Sequence, residues 1–149
     1  MRSLWFILAI IIAVTDQASK FFISSNLNLN EPVPVIQNFF HLALVHNTGV
    51  AFGLLKNSTL FFAGISLVAV LFIIFYLTRR TDKNFTFKLG LTMILGGAIG
   101  NLIDRVRLGY VIDFLDFLVW PVFNIADSCI TIGAVLILVS IFIHKRTAQ

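Results

Sequence analysis

The sequence predicts an all-α membrane protein: four transmembrane helices, a small extracytoplasmic β-sheet forming a cradle between the first and second, and both termini cytoplasmic. Three observations carry this. The 149 residues are 58% hydrophobic and only 12% charged, with a mean hydropathy of +0.96, far outside the range of a soluble globular domain. Four apolar runs each reach or approach the roughly 20 residues that a bilayer-crossing helix needs. The basic residues, finally, gather in segments that share one side of such a topology.

Each element follows from its residues. The first run (TM1, about 4–23) begins just after Arg2 like a leader, but Val14-Thr15-Asp16-Gln17 offers no small-residue cleavage pattern, so it is read as a helix that stays. The outer segment, 24–59, opens with Ser24-Ser25-Asn26-Leu27-Asn28 and the prolines Pro32 and Pro34, which break the helix. It continues as Phe39-Phe40-His41-Leu42-Ala43-Leu44-Val45-His46 and reads as a small sheet on the membrane surface over residues 33–52. The glycines of Asn47-Thr48-Gly49-Val50-Ala51-Phe52-Gly53 suit a tight turn or a close approach to another chain. TM2 (60–77) is nearly free of polar residues and would face lipid or substrate tails. A cytoplasmic loop (78–84), TM3 (85–105), an outer loop (106–122) and TM4 (123–143) complete the chain. With no internal repeat and no space for a soluble domain, residues 1–149 form a single integral-membrane domain.

Orientation rests on Arg2, on Arg79, Arg80, Lys83 and Lys88 around the TM2/TM3 turn, and on Lys145 and Arg146, all on one side and therefore cytoplasmic. Six of the seven acids (Asp16, Glu31, Asp104, Asp113, Asp116 and Asp127) lie toward the other side, leaving only Asp82 inside. The net charge of +4 does not indicate nucleic acid, because no basic stripe is interleaved with aromatics. The single cysteine, Cys129, sits in an apolar run, reads as a packing residue and excludes an intramolecular disulfide.

Ionisable residues inside a span cost several kcal/mol and call for a function. TM1 carries Asp16 and Lys20 at i, i+4, where an internal ion pair accounts for both. TM3 ends in Gly96-Gly97-Ala98-Ile99-Gly100-Asn101-Leu102-Ile103-Asp104-Arg105. Gly96 and Gly100 form a small-xxx-small pair that lets a neighbouring helix come close, with a polar patch directly behind it. Asp104 with a snorkelling Arg105 is a structural alternative for that patch. TM4 opens with Phe123-Asn124-Ile125-Ala126-Asp127-Ser128, so Asn124 and Asp127 share a face, and Asp127 has no cation near it in sequence. The outer loop adds Val111-Ile112-Asp113-Phe114, an acid flanked by apolar residues.

By this topology Asp16, Asn47, Asn101, Asp113, Asn124 and Asp127 all stand at outer-leaflet level and can converge. Two carboxylates a few Å apart do not both ionise easily, which puts an acid and a base in one place, as in aspartic peptidases. Zinc would want His or Cys at ligand spacing, whereas His41 and His46 sit in the surface segment and His144 at the opposite tail. Ser128 and Cys129 have no histidine on their helix face, and no glycine-rich phosphate loop is present. Two other classes use the same residues: a proton or cation path through Asp16, Asp113 and Asp127, and an enzyme acting on lipid head groups through Arg105 and Arg107. The first would place polar groups through the full membrane depth, yet the inner halves of TM1, TM2 and TM4 have almost none.

Five stretches resemble the lipoprotein signal peptidase (signal peptidase II) family in order, spacing and membrane placement. They are Asp16-Gln17-Ala18-Ser19-Lys20, Asn47-Thr48-Gly49-Val50-Ala51-Phe52, Gly97 through Arg105, Val111-Ile112-Asp113-Phe114, and Phe123-Asn124-Ile125-Ala126-Asp127. His46 departs from the arginine that many members carry before the asparagine, which bears on substrate contacts at that edge. The resemblance implies an intramembrane aspartic endopeptidase of the bacterial inner membrane, multi-pass, with its site toward the periplasmic or outer face. Asp113 and Asp127 would be the catalytic dyad. Asp16, Lys20, Asn47, Gly100, Asn101, Arg105, Asn124 and Ala126 would support the site or bind substrate. The implied substrate is a diacylglyceryl-modified prolipoprotein, cut just before its lipidated cysteine and reached through the membrane lipids. The family further implies no metal or organic cofactor, a monomer, no nucleic-acid partner, and inhibition by globomycin-like cyclic peptides.

Overall fold

A computed structural model describes residues 2–49, 58–79 and 84–147. Its helices are α1 (Arg2–Asn26), α2 (Thr59–Arg79), α3 (Phe85–Leu108) and α4 (Ile125–Thr147), all four long and apolar enough to cross a membrane. Three strands, β1 (Val33–Ile36), β2 (Phe40–Asn47) and β3 (Val111–Asp116), form one antiparallel sheet in the order β1-β2-β3. Val50, Ala51, Phe52, Gly53, Arg80, Asp82 and Lys83, on which parts of the sequence reading rest, lie outside the described residues.

The helix ends differ from the expected spans for local reasons. Ser24, Ser25 and Asn26 do not break α1, because each side chain donates back to the carbonyl four residues earlier, Lys20, Phe21 and Phe22, at 2.7–2.8 Å. At its other end α3 continues past 105 until Gly109, whose φ of 81° places it in the left-handed region, with its N–H returning to the Arg105 carbonyl. The start of α4 is Ile125, not 123: Phe123 is held as strand by backbone hydrogen bonds with Phe114 and Leu115, and Asn124 caps the helix.

Packing centres on α3, which touches all three other helices. Lipid offers no hydrophobic drive between helices, so contact depends on how closely backbones approach. On one flank the expected Gly96/Gly100 pair faces α1: a Cβ on Gly96 would stand 2.8 Å from the Ala9 carbonyl, and one on Gly100 would strike Asp16. The other flank presents Gly97 to the Ala126 carbonyl of α4. Inside the bundle Ala9, Val70, Ile73, Leu77, Leu91, Leu95 and Ala98 make the apolar core. A second cluster, Ile23, Leu44, Ile112 and Phe114, ties the end of α1 to the sheet. The sheet expected from the TM1–TM2 segment is therefore completed by a strand from the outer loop. This third strand carries Asp113.

Candidate active site

Lys20 is the hub. Its ammonium is buried, 1% exposed, and its three donors meet Asp16 Oδ2 and Asp104 Oδ2 at 2.8 Å each and Asn101 Oδ1 at 2.9 Å. The Asp16–Lys20 pair matches its i, i+4 spacing. Asp104, however, pairs with Lys20 and not with Arg105, so the snorkelling alternative for that pair is set aside. Consecutive residues on a helix point about 100° apart, which turns Arg105 away from its neighbour's acceptor. Its guanidinium stands 5.9 Å from the Phe62 ring centroid.

From the hub two arms run outward. One passes through Asn101, whose Nδ2 donates to Asp127 Oδ1 at 2.8 Å. The other passes through Asp104, whose Oδ2 accepts the Ile112 N–H at 3.1 Å and so fixes the backbone beside Asp113. Asn124 joins the arms. Its Nδ2 reaches Asp113 Oδ1 at 2.6 Å and Asn101 Oδ1 at 3.2 Å, while its Oδ1 accepts the Asp127 N–H at 2.9 Å as the cap of α4. Asp16 serves the same helix end: its Oδ1 takes the Ala126 N–H at 2.9 Å, placing a carboxylate at the positive pole of α4. From the end of β2, Asn47 Nδ2 donates to Asp113 Oδ2 at 2.8 Å.

Nine of the ten residues singled out in the sequence thus meet in one continuous assembly: Asp16, Lys20, Asn47, Gly100, Asn101, Asp113, Asn124, Ala126 and Asp127. Gly100 belongs because only a hydrogen there leaves room for the Asp16 carboxylate. Arg105 stands beside the assembly and makes no hydrogen bond to its carboxylates among the described residues. Sequence reasoning missed Gln17, whose Nε2 donates to Asp104 Oδ1 at 2.8 Å and the Gly100 carbonyl at 3.1 Å. Asp104, which the sequence pairs with Arg105, joins the site through Lys20. An uncharged amide one position past Asp16 in an apolar helix was the available signal for Gln17.

Asp113 and Asp127 differ in surroundings. Asp113 is 1% exposed with both oxygens held by amides, whereas Asp127 is half-buried and its Oδ2 accepts no hydrogen bond among the described residues. Burial, and then the charge of Asp127, push the Asp113 carboxyl up to about 7, against the opposing pull of Asn47, Asn124 and Lys20. Side-chain amides orient both acids, and the buried Lys20 ammonium reaches Asn101, which in turn bonds Asp127. No set of three or more His, Cys, Asp or Glu able to hold a metal is found among the described residues.

A family model described as signal peptidase (SPase) II matches residues 8–143. Curated proteins called lipoprotein signal peptidase are similar throughout. The one from Moorella thermoacetica is 48% identical over 88% of this chain and 87% of its own, and that from Clostridioides difficile 42% identical over 98% and 99%. Among solved structures, a bacterial membrane enzyme determined by the in meso method at 2.3 Å superposes with a TM-score of 0.91 at 28% identity, covering 99% of this chain and 92% of that one.

Proposed function

The chain belongs to the signal peptidase II family, a family of membrane peptidases that process prolipoproteins, and from that premise we propose that Asp113 and Asp127 are its aspartic catalytic dyad. The observation that carries this is the orientation of both carboxylates by neutral amides, with burial and the charge of Asp127 pushing the Asp113 carboxyl up to about 7. A water held between them loses a proton to the ionised carboxylate as its oxygen adds to the scissile carbonyl carbon. The protonated partner donates a hydrogen bond to the carbonyl oxygen. Collapse of the tetrahedral intermediate breaks the C–N bond, a proton passes to the departing amine, and the pair returns to its singly protonated state.

The substrate is a diacylglyceryl-modified prolipoprotein cut just before the lipidated cysteine, at the outer side of the bacterial inner membrane. The positive charge of Arg79 and Lys88 at the opposite ends of α2 and α3 supports that orientation. The protein acts as a monomer, and globomycin-like cyclic peptides compete for the site. Asp16, Lys20, Asn101, Asn124 and Ala126 hold the dyad in place, Asn47 tunes Asp113, and Arg105 is left free to meet the substrate backbone.

The test incubates the purified protein in detergent, without added metal, with a diacylglyceryl-modified prolipoprotein and with its unmodified precursor. The account expects one cut, immediately before the modified cysteine, and none in the precursor. Equal cleavage of both, or of neither, contradicts it.

A further inference from the structure

Asn47 bonds Asp113 across the last rungs of the sheet, and its place there is not set by the sheet alone. Strands β2 and β3 pair His41 with Asp116 and Leu42 with Leu115, then slip before Val45 meets Asp113, His46 meets Ile112 and Asn47 meets Val111. An interrupted ladder does not carry register from one end to the other, so the rungs at the site need ties of their own. Two are present. On one face the His46 ring stacks on Tyr110, with centroids 3.9 Å apart and planes at 19°. At the end of the ladder, the Thr59 hydroxyl, first residue of α2, lies 2.8 Å from the Gly109 carbonyl and 3.2 Å from the Thr48 carbonyl, its one proton shared between them. Gly109 stands just before β3 and Thr48 just after β2, so a single side chain spans the two strand ends.

The Thr48 contact reaches Asp113 through one peptide group. The carbonyl of Thr48 and the N–H of Gly49 belong to the same planar unit, so holding one fixes the direction of the other. That N–H donates to Asn47 Oδ1 at 3.0 Å, and with Oδ1 so engaged the opposite end of the amide, Nδ2, donates to Asp113 Oδ2 at 2.8 Å. Three hydrogen bonds in series thus connect a hydroxyl on α2 to a carboxylate on β3.

We propose that Thr59 is a positioning residue for Asp113: its hydroxyl clamps the end of β2 to the start of β3 and sets the Thr48–Gly49 peptide so that Asn47 donates to the Asp113 carboxylate. The inference rests on the dyad reading above. The Asn47 amide favours the ionised form of Asp113, so loosening it makes that carboxyl harder to deprotonate. The charged groups around the dyad are Asp16 and Lys20 on α1, Asp104 and Arg105 on α3, and Asp127 on α4. Thr59 bonds none of them among the described residues, and a change at Thr59 acts through Asn47.

Thr59→Val removes the hydroxyl at almost constant volume, and Thr59→Ser keeps it. With purified protein in detergent and a diacylglyceryl-modified lipopeptide, Thr59→Val should lower kcat about tenfold with KM nearly unchanged. Its alkaline decline of kcat/KM should move to higher pH, as for Asn47→Ala, and Thr59→Ser should restore both. Thr59→Val added to Asn47→Ala should move the decline no further. Infrared titration of the Asp113 carboxyl band, identified by its loss in Asp113→Asn, reads the same shift without substrate. Should Thr59→Val not fold, Thr59→Ala takes its place. A profile and band unchanged from the wild type, an equal defect in Thr59→Ser, or full additivity of the two pH shifts overturns the assignment. Absence of cleavage by every protein, the wild type included, removes the peptidase reading, and the band then decides on Thr59 by itself.

Discussion

Lys20 decides more of this molecule than its single charge suggests. Buried with Asp16 and Asp104, it lies 2.8 Å from a carboxylate oxygen of each and gives both a partner away from water. Lys20→Met should destabilise the protein by about 3–5 kcal/mol, read as thermal unfolding in detergent; a loss near zero would mean the acids find other partners. Asp113 gives a pH prediction. Its folded-state value lies above the ordinary one, so folding favours the protonated form, and that contribution is lost as pH rises through about 7. Stability should therefore fall as pH rises from the ordinary carboxyl range toward about 7 and level off above it, whereas kcat/KM should decline on the alkaline side of about pH 7. Asn47 donates to the ionised form, so Asn47→Ala should move that decline to higher pH. A pH profile of each protein checks the sign. At this scale the charged residues were legible because ionisable groups in apolar runs stand out. Their partners were not: Asp104 has Arg105 beside it in sequence, yet bonds Lys20, eighty-four positions away.

Between elements, the close contacts of α3 hold the geometry. Gly97 abuts the Ala126 carbonyl, one residue before Asp127, so an added methyl must push α4 outward or strain it. Gly97→Ala should cost about 1–3 kcal/mol and reduce kcat far more than it raises KM. Gly64→Ala on α2, where a Cβ meets nothing, should stay within about 0.5 kcal/mol of wild type. Parallel thermal unfolding and kinetics separate the two. The small-residue pair Gly96/Gly100 announced a close helix contact in the sequence, and it faces α1. Strand β3 was hidden, because Val111, Ile112, Asp113 and Phe114 are all buried and lack the alternation that marks a half-exposed strand. Nor could the sequence show that Ser24, Ser25 and Asn26 would donate back to the carbonyls four residues earlier and prolong α1.

At the scale of the molecule, four apolar helices run in alternation, with the start of α1 and the end of α4 on one side and the polar assembly toward the other. Lys20, Asn101, Asp113 and Asp127 come from four different elements, and the fold exists, functionally, to join them. A reporter enzyme fused after residue 149 should be active only in the cytoplasm, and one inserted at the exposed turn beside Glu31 only outside; the reverse pattern would invert the topology. The central claim is that two carboxylates, one from the sheet and one from α4, do the chemistry together. It is tested most directly by comparing cleavage of diacylglyceryl-modified prolipoprotein by the wild type, Asp113→Asn and Asp127→Asn, each shown to fold by its thermal unfolding. The account predicts that either substitution lowers kcat by at least about 10³-fold; substantial cleavage by either folded variant would contradict it.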